Sequence, residues 1–78
     1  MDDDAAVQER LEAAARLYEQ AGDELERAVG HCRRAAEHFR NREVPRGTAH
    51  AWAALGHLRE AEGRLDEQAR EHRLRAQI

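Results

Sequence analysis

His31, Cys32, His38, His50 and His57 are the side chains whose types and spacing could do chemistry in this sequence. Imidazole nitrogens and thiolates bind zinc and similar cations, and a histidine beside a cysteine could pair a base with a nucleophile. The spacing argues against both. His31 and His38 stand seven residues apart, as do His50 and His57. On a helix that is two turns, or ~10 Å, whereas ligand pairs on one helix sit three or four residues apart. A metal site would have to be gathered across helices, with Cys32 as an extra ligand. Neighbouring residues on a helix point about 100° apart, so His31 and Cys32 do not face each other, and Cys32 falls on the apolar stripe as a small buried hydrophobe. No phosphate-cradling glycine loop, Ser-His-Asp set or paired catalytic carboxylates can be picked out. The expectation is a chain without catalysis, bound metal or cofactor.

Helices must position these residues. Val7, Leu11, Ala14, Leu17, Tyr18 and Ala21 recur at helical spacing behind an acidic start at Asp3 and Asp4. Gly22 is expected to end this helix and Asp23 to cap the next, which runs on Leu25, Ala28, Val29, Cys32, Ala35 and Phe39 and fades near Asn41. Pro45 suits the first turn of a third helix carrying Trp52, Leu55 and Leu58. Gly63 is expected to break it before a fourth helix on Leu65, Ala69 and His72. No strand-like alternation occurs, so the fold class is all-α.

The 78 residues form one domain, 41% apolar and 37% charged, with a formal net charge of -3. Half of the apolar residues are alanine, which buries little area, so at ~25 cal/mol per Å² the core should be only marginally stable. Both charge signs are interleaved without a basic face, which argues against nucleic acid as a partner. No apolar run could span a membrane and no signal-peptide pattern follows Met1. One cysteine cannot form an internal disulfide, so a cytoplasmic location is expected.

Trp52-Ala53-Ala54-Leu55-Gly56 reads as W-x2-L-G, and an offset of 41 residues lays Gly22 on Gly63, Ala28 on Ala69, His31 on His72 and Leu17 on Leu58. The pattern resembles the tetratricopeptide repeat family, in the longer form found in kinesin light chains and actinobacterial regulators. The resemblance implies two antiparallel helix-turn-helix repeats, four helices in all, about 4–43 and 45–78. Trp52 would then pack into the core and Gly56 would lie at a close approach between helices. It also implies a non-catalytic protein-protein interaction module, or small scaffold, that holds a peptide or helix in a concave groove. Mapped by the Trp52 register, the groove would be lined by Glu9, Glu12, Arg16, Glu19, His50, Ala53, His57 and Glu60, and would suit a partner segment with some positive charge. Leu74 and Ile78 lie one turn apart beside the uncovered end of such an array, so a homodimer through them is expected. The alternative is a small four-helix-bundle accessory subunit that acts through its own oligomerisation.

Overall fold

A small residue recurs every seventh position at Ala14, Ala21, Ala28 and Ala35, and again at Gly47, Ala54 and Ala61, with Gln68 next in the series. Residues seven apart stay on one side of a helix, and small ones let two helices approach closely. The computed structural model, which describes residues 2–76, shows that outcome. Helix α1, Asp2–Arg40, folds back on α2, Val44–Ala76, as one antiparallel hairpin. Among the described residues there is no strand. Ala21, Ala28, Ala35, Ala54 and Ala61 are buried in the seam between the helices, with Gln68 continuing it toward the open end.

The four-helix division does not occur, because neither Gly22 nor Gly63 ends a helix. An interior glycine costs a helix about 1 kcal/mol, too little to break one that is packed against a partner before and after it, at Ala21 and Ala28 around Gly22 and at Ala61 and Gln68 around Gly63. The actual stop carries no glycine. Arg42 takes the left-handed conformation (φ 62°). The Glu43 N–H donates to the His38 carbonyl at 2.8 Å and the Arg42 N–H to that of Phe39 at 3.1 Å. This pair of bonds closes the C-terminus of α1 in a Schellman motif. Pro45 then falls in the first turn of α2, where its missing N–H costs nothing, and the Gly47 N–H bonds the Glu43 carbonyl at 3.0 Å. The stretch from Asn41 to Pro45 is thus where the chain turns, and it is the single turn among the described residues.

Packing differs from expectation as well. Trp52 is 72% exposed and anchors no core. Leu55 is also exposed, and a Cβ built on Gly56 meets no atom within 4 Å. The close approach is at Gly47 instead, where a Cβ would come within 2.8 Å of the Phe39 ring. Cys32 is exposed, because the stripe it belongs to has no second layer over it. The hairpin extends 61 × 22 × 12 Å, so it is one helix thick.

Candidate functional site: a histidine seam beside an open apolar face

Three residues on from the small seam residues Ala21, Ala28, Ala35, Gly47 and Ala54 stands a larger side chain, and these alternate between the helices down the rod. Glu24, His31 and His38 come from α1 and His50 and His57 from α2, all half-buried. The sevenfold spacing that separates histidines on one helix is what interleaves them with those of the other. His57 Nδ1 meets Glu24 Oε2 at 2.6 Å. The His57 ring stacks on His31 with centroids 5.3 Å apart and planes 8° from parallel. His31 Nδ1 and His50 Nδ1 lie 2.9 Å apart, so one nitrogen donates a proton and the other accepts it. His50 stacks on His38 at 5.3 Å, and His38 Nδ1 reaches the Glu43 carboxylate at 3.3 Å. The result is a ladder of four imidazoles with a carboxylate at each end.

The hydrogen bond from His57 holds the Glu24 carboxyl below its ordinary range. Partial burial opposes that shift, while the positive charges of Arg27, His57 and Arg64 add to it. Removal from water pushes the His31 imidazole below its ordinary value, and repulsion from His50, His57 and Arg34 pushes it further. The ladder therefore favours a neutral imidazole at His31 and negative charge at Glu24. Among the described residues no three His, Cys, Asp or Glu side chains converge on a point where a metal could sit. The fifth histidine, His72, lies apart and contacts Gln68 at 3.2 Å.

Beside the seam, one face of the hairpin is apolar. Leu25, Ala28, Val29 and Cys32 of α1 and Ala51, Ala54, Leu55 and Leu58 of α2 line a single shallow groove, with Arg33 at its edge. Leu11, Tyr18, Leu25, Cys32 and Phe39 follow one another every seventh residue along α1, as do Val44, Ala51, Leu58 and Leu65 along α2. The leucines, valines and aromatics of these stripes are all exposed.

The residues mapped to a concave groove fall into separate places. His50 and His57 turn into the seam with Ala53 half-buried beside them, and Glu60 is exposed. Glu9, Glu12, Arg16 and Glu19 are exposed on α1 toward the open end, where Arg16 reaches Glu12 at 3.8 Å. Since His57 is level with Glu24, and Glu12 lies twelve residues before Glu24, Glu12 is about 18 Å down the rod from His57. Leu74 is exposed and, nine residues after Leu65, points about 180° away from it. Ile78 lies outside the described residues. In comparisons with family models, curated proteins and solved structures, nothing matches the chain. No helix among the described residues is long and apolar enough to cross a membrane.

Proposed function

We propose that the chain is a non-catalytic protein-protein interaction module whose binding surface is the apolar face around Leu25, Val29, Leu55 and Leu58. The observation that carries this is the division of side chains. Alanine closes the seam, while every large aliphatic residue in the groove stays in contact with water. A chain of this size ordinarily has to bury such residues to be stable, and contiguous apolar patches mark interaction sites. Two helices lying side by side offer a trough into which a further helix, or a pair of helices, packs its own apolar stripe. The four-helix arrangement suggested by the sequence would then be reached by adding a partner's helices to this hairpin. Cys32 lies on the same face as a free thiol, as in the reducing cytoplasmic setting that a lone cysteine suggests.

The test is binding of an environment-sensitive apolar dye and of candidate helical peptides, at chain dilutions where the protein is monomeric, followed by Leu25→Glu and Leu58→Glu. Loss of binding in both variants, with helicity retained, supports the proposal. Binding that ignores both charges, and instead falls when Glu12 or Glu60 is replaced, refutes it.

A further inference from the structure

We infer that the occupant of the apolar face is a second copy of this chain, packed so that α1 of one copy runs antiparallel to α1 of the other. The inference rests on the proposed role of that face and names its partner. Surface area supplies the first argument. A compact folded protein of 8.9 kDa exposes about 4,800 Å², whereas this chain exposes 6355 Å². The excess is roughly 1,500 Å² per chain. Two chains that hid it in each other would bury roughly 3,000 Å² in total, within the 2,000–5,000 Å² range of obligate homodimers. A rod 12 Å thick also becomes the ordinary two-layer bundle when doubled.

Charge supplies the second argument and sets the orientation. Along the edge of α1 beside the groove, Glu12, Glu19, Glu26, Arg33 and Arg40 recur every seventh residue, acidic in the first part and basic in the second. Such an edge is self-complementary when reversed. A two-fold axis over the groove, near Ala28 and Ala54, sets Glu26 against Arg33 of the second copy and Glu19 against Arg40, each pair occurring twice. Leu25 then lies against Cys32 of the second copy. On α2 the same axis brings the exposed Trp52 opposite Arg59 of the second copy, a cation–π pair. An axis along the rod would set Glu26 near Arg59 of the second copy but Glu19 against Asp66, at the level marked by the bond from Arg64 to Gln20, a like-charge contact that the reversed packing avoids.

The experiment is sedimentation equilibrium on the whole chain, with a charge swap and a cross-link. The wild type should show twice the chain mass at micromolar concentration. Glu26→Arg, a substitution at an exposed position, should weaken association at least ten-fold, and adding Arg33→Glu in the same chain should restore it. Leu25→Cys should form, under mild oxidation, a covalent dimer whose disulfide maps to positions 25 and 32 of different copies. A monomer at the highest concentration reached overturns the inference, as does a dimer that ignores the swap or cross-links elsewhere. The two ways of failing are separable. A monomer that binds apolar dye through Leu58 leaves the face open to a different protein, whereas a monomer that binds no dye removes the proposed function too.

Discussion

Gly56→Ala should stabilise this protein, and by a calculable amount. Gly56 is exposed within the unbroken α2, and a Cβ added there meets nothing within 4 Å. Substitution therefore adds no clash. It removes the conformational freedom that glycine gives the unfolded chain, worth about 0.8–1.0 kcal/mol in a helix interior. For a domain of this size 1 kcal/mol moves the melting temperature by about 4–8 °C, so the expected gain is roughly 3–8 °C. Gly63 is likewise exposed and open. It lies seven residues, or ~10 Å, from Gly56, far enough for the two effects to add. The double variant should gain about 1.6–2 kcal/mol. Thermal melts followed by circular dichroism, at one fixed chain concentration so that association does not confound them, give the answer. A lower melting temperature for Gly56→Ala would mean that the glycine sits at a close helix approach, as in a four-helix repeat, and the continuous α2 would be wrong.

At Gly47 the new methyl group would press on the Phe39 ring, so Gly47→Ala should raise the melt by less than Gly56→Ala or lower it. Arg42→Gly relieves a left-handed residue and should stabilise by about 1 kcal/mol in denaturant titration. Ala61 is 1% exposed in the seam, and Ala61→Leu should overpack it at a cost of about 1–3 kcal/mol, read as an earlier denaturant midpoint. Acid should weaken the fold in two stages. His31 is held below its ordinary 6.5 in the fold, so the unfolded chain takes up the proton first and stability falls as the pH drops below 6.5. Glu24 is held below 4.5, so its contribution is present above 4.5 and is lost as the pH falls through its lower folded value. Denaturant midpoints measured from neutral to about pH 4 should fall accordingly, and His31→Gln should flatten the upper stage. Equal midpoints from pH 7 to about pH 5 would refute the histidine part.

The helical class and the turn near Asn41 were legible in the sequence, because helical spacing and a first-turn proline are local signals. The division into four was not. Gly22 and Gly63 look like stops, but a glycine terminates a helix only where the chain also leaves helical geometry, and the packed seam keeps it in. Arg42 gives no such signal, since its left-handed backbone is imposed by the two turn bonds. Trp52 opens a W-x2-L-G pattern, yet a local pattern does not show which face is closed. The informative pattern was the smallest side chains: Ala21, Ala28 and Ala35 repeat every seventh residue and so do Gly47 and Ala54, with Glu24, His31, His38, His50 and His57 three places on. That period, shared by seam and histidines, was present in the spacing that counted against metal binding. Its meaning depended on a second helix at the same level, which no local signal supplies.

The three-residue turn also orders events in time. Once Asn41 to Glu43 close, Phe39 and Gly47 meet across a very short loop, and each later pair joins a loop that is already mostly zipped, so little further chain entropy is lost per step. Assembly then runs outward from the turn, through His38 and His50 to His31 and His57, and on to Gln20 and Arg64. Opening runs the other way. Amide exchange should therefore slow progressively from the open end toward the turn, with Ala14 exchanging before Ala35 and Gln68 before Ala54.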